Sequence, residues 1–320
     1  RIRHPSISPY TRNHHNSQKI LFVADSNIMI TDDFAYHICS KLKELRDVEL
    51  TILLVVDEEQ VPGYRVFGES KSKEIRTEFT EKMRRYIDFQ LAGNSTINAD
   101  IKVRCGIPFI EIIKESVEGD FDLIIKSQDT KFQSMHSLDL HLLRKTQVPV
   151  WIVNSGDYKA QDMLVAAIDL DLQNSEEGRE INRKIMDFSL FIADALGLRM
   201  KVVSCWHVNG EESLNNNPYI QMESISITEV GALEENRYME LMKSFISDYK
   251  DVEYSMIKGD AVKSIANYVS FNRPKALIMG TFSRTGLRGY LIGNTAEDVL
   301  LSIDSSVVAV KPDGFSSPVI

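Results

Sequence analysis

The sequence lacks any long uninterrupted apolar run. No stretch approaches the roughly 18 consecutive apolar residues that a membrane-spanning helix needs. Residues 1–19 are polar, contain two prolines and have no apolar segment of the kind found in secretory signals. We therefore expect a soluble, cytoplasmic protein with no membrane partner, and we interpret residues 1–18 as a flexible tail.

The sequence also has few residues arranged for catalysis or metal binding. Its three cysteines, Cys39, Cys105 and Cys205, are scattered without CxxC spacing, which favours buried structural thiols in a reducing compartment. Its histidines do not follow zinc-ligand spacing. GxSxG, Walker A and GxGxxG motifs are absent, which disfavours an acyl-transfer enzyme, a P-loop ATPase and a Rossmann dehydrogenase. We predict no metal and no catalytic residue.

Positive charge is in the minority. The 320 residues include 37 Lys and Arg against 46 Asp and Glu, a formal net charge of -9. Nucleic-acid surfaces are usually basic, so we predict no nucleic-acid partner. With 43% hydrophobic residues, the chain can form ordinary globular cores, and its length is that of about two domains.

The chain contains a long internal repeat. The apolar runs 121–125 and 148–153 (FDLII and VPVWIV) recur as 275–279 and 305–310 (KALIM and SSVVAV). Earlier in each copy, an apolar run ends in an aspartate, Asp25 or Asp169. Continuously apolar strands that alternate with helices are typical of a parallel sheet covered on both faces. We predict an α/β fold of two tandem five-stranded parallel-sheet domains, residues 19–154 and 163–320, joined by a linker at 155–162 and packed as an internal pseudo-dimer.

Two helices of the repeat show a clear apolar period. Each follows a strand that ends in glycine, Gly106 or Gly259. The spacing predicts that the following apolar residues face the core: Ile110, Ile113 and Val117 in the first copy, and Val262, Ile265, Ala266 and Val269 in the second.

The two copies differ after their fourth strand. The first reads KSQDTK over 126–131, whereas the second has a glycine-rich segment, Gly280–Asn294. Glycines let backbone amides approach an anion, and a helix N-terminus favours a phosphate. Asp169 at the strand edge suits a ribose hydroxyl or an adenine amino group. The candidate ligand-binding residues are Asp169, Gly259, Gly280, Thr281, Ser283, Arg284, Gly293, Asn294 and Thr295.

The same residues also have purely structural interpretations. Asn294 followed by Glu297 has the spacing of a capping box, which would satisfy the amides of a helix over 296–303 without a ligand. Asp169 could cap a turn. For Asp25 we favour such a cap, because the first copy lacks the glycine-rich segment.

Three blocks of the sequence resemble the universal stress protein family, in its tandem-domain form: Leu140–Val153, Met279–Glu297 and Val310–Asp313. The resemblance implies domains similar to the adenine nucleotide alpha hydrolases that pair through their last strands. Nucleotide-binding members carry G-x2-G-x9-G-[ST] after strand four and an aspartate after strand one. By position the pattern falls on Gly280, Ser283, Gly293 and Asn294, with Asp169 as the aspartate, and Ser283 and Asn294 depart from it. The first copy has lost the loop, so no nucleotide is expected there.

These features predict a non-catalytic stress-response protein. It would sense a ligand or bind a partner, with ATP or another phosphate-bearing molecule in the second domain and further self-association open. One alternative is a slow ATPase or another nucleotide-dependent enzyme that uses the same loop. A second is a structural adaptor, in which the segments 57–73 and 209–231 receive an apolar or protein partner.

Overall fold

A computed structural model describes residues 17–61, 63, 66, 69–92, 98–128, 137–156, 160–208, 227–250, 252–281 and 293–319. The strands are β1 (Gln18–Ala24), β2 (Val48–Asp57), β3 (Asp100–Gly106), β4 (Leu123–Ser127), β5 (Val150–Val153), β6 (Gln161–Ala167), β7 (Arg199–Trp206), β8 (Glu253–Lys258), β9 (Pro274–Gly280) and β10 (Val307–Val310). The helices are α1 (Phe34–Leu45), α2 (Glu69–Ala92), α3 (Pro108–Glu118), α4 (Ser137–Lys145), α5 (Glu176–Leu196), α6 (Ile227–Ile246), α7 (Ala261–Asn272) and α8 (Asn294–Ser302).

All ten strands belong to one sheet, in the order β3-β2-β1-β4-β5-β10-β9-β6-β7-β8. We call residues 17–156 the first half and residues 160–319 the second half. Neighbouring strands within each half run parallel, while β5 and β10 pair antiparallel, with Trp151 opposite Val308. The prediction of an α/β fold with a predominantly parallel sheet is therefore confirmed.

Helices cover both faces of the sheet. Phe22 and Ile125 point into a core shared with α1, α2, α5 and α6, whereas their neighbours Leu21 and Ile124 point into a second core on the α3, α4, α7 and α8 side. Because the central strands β1, β4, β5, β6, β9 and β10 are buried on both faces, their residues are mostly apolar without alternation. This explains why the repeated apolar runs identify the strands so directly.

The predicted buried face of α3 is partly wrong. Its buried residues include Ile112, Ile113 and Glu115, whereas Val117 is exposed. Glu115 lies inside because it forms ion pairs with Lys102 and Arg104 of β3. The apolar period cannot reveal a buried carboxylate with cationic partners. On α7 the prediction fits better: Val269 is buried, and the other three predicted residues are partly buried.

Among the described residues, two ion pairs join the halves beside the β5–β10 contact. Arg46 at the end of α1 pairs with Asp194 of α5, and Arg144 of α4 pairs with Glu297 of α8. Most of the predicted tail, residues 1–16, lies outside the described residues, and β1 begins at Gln18. Among the helices that the structure describes, none has the length and apolar character needed to cross a membrane.

Candidate functional site

Asp169 follows β6 at the carboxyl edge of the sheet and caps a short 3-10 helix over Leu170–Asn174. Its Oδ1 accepts a hydrogen bond from the amide of Asp171 at 3.0 Å. The turn-capping interpretation therefore describes one of its contacts. Parallel sheets place ligands at this edge, so the side chain also lies where a ligand group is expected.

A buried asparagine fixes the backbone at Asp169. Asn182 of α5 donates from Nδ2 to the carbonyl of Asp169 at 2.7 Å, and its Oδ1 accepts from the Asp169 amide at 3.2 Å. Asn182 is almost completely buried. We did not predict a role for Asn182 from the sequence. A polar side chain beside Ile181 on the buried face of a helix is a signal for such a hydrogen-bonding residue, because buried polar groups need partners.

Gly280 ends β9, and its lack of a side chain is explained by packing. A Cβ built at this position would lie 2.8 Å from Ile181 Cγ1 and 3.2 Å from Ile185 Cδ1, both on α5. The next residue, Thr281, is buried and donates its amide to the carbonyl of Val310 at 3.1 Å. Gly280 therefore lets α5 approach the end of β9 closely.

The predicted capping box at Asn294 and Glu297 is wrong. Helix α8 begins at Asn294, and its N-cap is Gly293, which has no side chain to cap the helix. Glu297 instead pairs with the guanidinium of Arg144, with Nε 3.3 Å from Oε2 and Nη2 in close contact with Oε1. The pairing is possible because the antiparallel β5–β10 contact brings α4 close to α8. Asn294 and Thr295 are exposed at the start of α8.

Gly259 follows β8 in a conformation that favours glycine, with φ of 140°, and its amide donates to the carbonyl of Trp206 at 2.8 Å. Nearby, burial raises the pKa of the Cys205 thiol to about 11, and the negative charges of Asp260 and Asp169 add to this effect. Cys205 is therefore a neutral thiol.

Aromatic and basic side chains of α6, β7 and β8 pack together beside the carboxyl edge of the sheet. The Tyr238 hydroxyl of α6 donates to Asp171, and burial together with this bond raises the pKa of Tyr238 to about 12. Arg237 lies over the Tyr238 ring at 4.2 Å, and Lys258 lies 5.7 Å from the ring centre of Trp206. These contacts fix α6 against the turn that Asp169 caps.

The first half fills the corresponding positions with its own polar groups. Asp25 accepts from the amide of Asn27 at 2.8 Å, so the predicted cap is confirmed. At the end of β4, the Ser127 hydroxyl donates to the buried Asp33, which caps α1. The Nζ of Lys126 lies 2.9 Å from Oδ1 of the buried Asp139. Desolvation raises the pKa of Asp33.

The structure thus brings Asp169, Gly259, Gly280 and Thr281 to the carboxyl edge of one half, with Gly293, Asn294 and Thr295 at the start of α8. Ser283 and Arg284 lie outside the described residues. Within the described part of the chain, no group of three or more His, Cys, Asp or Glu residues is arranged to hold a metal ion.

Comparison with known proteins agrees with this architecture. The model of the universal stress protein family matches residues 183–311. Two solved structures share the fold: a protein of unknown function from Pseudomonas aeruginosa PAO1 (TM-score 0.65, 20% identity, 93% of each chain) and a universal stress protein from Archaeoglobus fulgidus (TM-score 0.56, 16% identity, 92% of this chain and 98% of that one).

Residues 183–311 thus match the universal stress protein family, and the predicted resemblance to that family is confirmed. More particularly, the chain is similar to universal stress protein E of Photorhabdus laumondii, with 26% identity over 283 residues that cover 85% of this chain and 84% of the relative.

Proposed function

We propose that the chain is a non-catalytic, cytoplasmic stress-response protein built as two tandem domains, and that its second half binds a phosphate-bearing ligand, for which ATP is the first candidate. The topology supports the tandem arrangement, since each half has the strand order 3-2-1-4-5 when its own strands are numbered from one. The antiparallel β5–β10 contact fits an internal pseudo-dimer.

The observation that carries the ligand proposal is the start of α8. Its N-cap is a glycine without a side-chain cap, and the acidic residue of its first turn is paired with Arg144. The first amides of a helix need partners, and a phosphate is suited to supply them. Ser283 and Arg284 are proposed to complete the phosphate contacts, with Asp169 on the sugar or base.

Titration of the purified full-length chain with ATP by calorimetry tests the site. We expect Asp169→Ala and Gly293→Val each to weaken binding at least tenfold. Asp25→Ala is the matched control, because Asp25 caps the corresponding turn of the first half. Unchanged affinity in both second-half variants would refute the proposed site.

The same samples separate the alternatives. Mass spectrometry of small molecules released on denaturation should show a nucleotide or another phosphate compound. Turnover of ATP to ADP that is lost in Gly293→Val would instead support a slow ATPase. Release of an apolar molecule, or of none together with no ATP binding, would favour the structural adaptor.

A further inference from the structure

The chain after β10 forms a strap across α5. We call residues 311–319 the C-terminal strap. The amide of Asp313 donates to Glu180 Oε1 at 3.1 Å, and Lys184 pairs with the Asp313 carboxylate. At its end, Val319 packs against the apolar core on the α3, α4, α7 and α8 side. The strap therefore bridges the edge between the two faces of the sheet.

The first residue of the strap is a buried lysine at the junction of the halves. Lys311 is 3% exposed, and its Nζ donates to the carbonyl of Arg144 at the end of α4 over 3.3 Å. The ring centre of Phe315 lies 4.7 Å from the same nitrogen. The structure pairs no carboxylate with this nitrogen among the residues it describes. Burial outweighs the carbonyl and the ring, and lowers the pKa of Lys311 to about 7.

The charged groups on the neighbouring elements are engaged with one another. Arg144 of α4 is paired with Glu297 of α8. Lys184 of α5 is paired with Asp313 of the strap and with Glu180.

Two further neighbours do not supply a counter-charge either. Lys145 of α4 lies over the ring of Phe109, 4.4 Å from its centre. A hydrogen bond to Asp313 raises the pKa of Glu180.

We propose that the C-terminal strap is a pH-dependent closure, which rising pH tightens because the burial of Lys311 without a carboxylate partner in the described chain disfavours its charged amine. In the open strap the amine is in water, where it keeps its proton up to about pH 10.4. Closing therefore releases one proton between about pH 7 and pH 10. By linkage, the open population falls about tenfold per pH unit across this window and is constant below it.

Hydrogen exchange of the full-length chain tests the closure. The opening constant is read from the protection factors of the Asp313 and Phe315 amides, corrected for intrinsic exchange, with Phe22 in β1 as a remote reference. From pH 7 to pH 9 we expect the opening constant of the wild-type strap to fall about 50-fold, because each opening event takes up one proton in this range. Lys311→Met should be independent of pH, and Lys311→Arg should be independent of pH and more open than Lys311→Met.

Equal pH slopes in wild type and Lys311→Met would overturn the proposal. A second measurement needs no folded Lys311→Met protein. In wild type labelled at lysine Cε, the Lys311 resonance should titrate with a midpoint near 7. A midpoint near 10, the ordinary value for lysine, would also overturn it.

Discussion

The two halves differ at the end of their fourth strands, where the first half buries charged side chains and the second half buries apolar ones. In the first half, Lys126 is buried opposite Ile152 of β5, and Asp139 is the third residue of α4. In the second half, the corresponding positions hold Met279, opposite Ala309 of β10, and Ala296, the third residue of α8. A buried ion pair in one half is therefore an apolar pair in the other.

The next residues along β4 and β9, Ser127 and Gly280, show the same contrast on the opposite face of the sheet. Ser127 donates to the carboxylate of Asp33 at the start of α1, whereas Gly280 packs against Ile181 and Ile185 on the longer helix α5. The first half closes its corner with polar groups of its own. The second half uses apolar contacts, and the N-cap of its next helix is Gly293. This difference is the physical reason to look for a ligand in the second half.

Breaking the ion pair of the first half should have the largest effect. We expect Lys126→Met or Asp139→Ala alone to lower the free energy of unfolding by about 3–5 kcal/mol, because each leaves a buried charge without its partner. The double variant, which copies Met279 and Ala296, should be within about 1 kcal/mol of wild type or more stable. Apart from the ion pair with Lys126, neither oxygen of Asp139 has a hydrogen-bond partner within the described chain. This adds to the free-energy cost of burying the pair.

Chemical denaturation of all four proteins measures this cycle. If the double variant is as unstable as the sum of the single variants, the polar and apolar solutions are not interchangeable. The comparison between the halves would then fail at this position.

Gly280→Ser, which copies Ser127 into the second half, should have a smaller effect. The added side chain would begin 2.8 Å from Ile181 Cγ1, so we expect a loss of about 1–3 kcal/mol from overpacking. In an Ile181→Ala background, which has its own cost, the same Gly280→Ser substitution should lower stability by less. Thermal unfolding of Gly280→Ser, Ile181→Ala and the pair tests the coupling, and additive losses would show that Ile181 is not the residue that requires glycine.

The third effect concerns ligand affinity across the junction of the halves. If α8 binds a phosphate, Arg144→Met should weaken it about two- to fivefold, because Glu297 would then place an uncompensated negative charge in the first turn of the helix. Glu297→Gln should remove most of this loss in the double variant. Calorimetric titration with ATP compares the four proteins, and a loss that persists in the double variant would assign Arg144 another role.

The sequence predicts the strands well because strands buried on both faces are apolar throughout, a property of each segment alone. It fails where a contact joins distant segments. The capping box is wrong because the partner of Glu297, Arg144, is far away in the chain. The burial of Glu115 depends on its ion pair with Arg104 of β3. The need for glycine at position 280 is explained by the close approach of Ile181 of α5.

The smallest expected effect is the pH response of Asp33, the polar counterpart of the apolar contacts at Gly280. Desolvation raises the pKa of this carboxyl group, so the folded state holds its proton more tightly than the unfolded state. The contribution of Asp33 to the free energy of unfolding is then greatest below the ordinary pKa of 3.8 and falls as pH rises through the raised value.

Asp33→Asn keeps an oxygen that accepts from the Ala35 amide and from Ser127. Relative to wild type, the variant should therefore gain stability as pH rises from 4, reaching a plateau once Asp33 is ionised. Urea unfolding of both proteins from pH 4 to pH 7 measures this difference. A difference that does not change with pH would mean that Asp33 is ionised without cost, and that the polar corner of the first half is as well solvated as the protein surface.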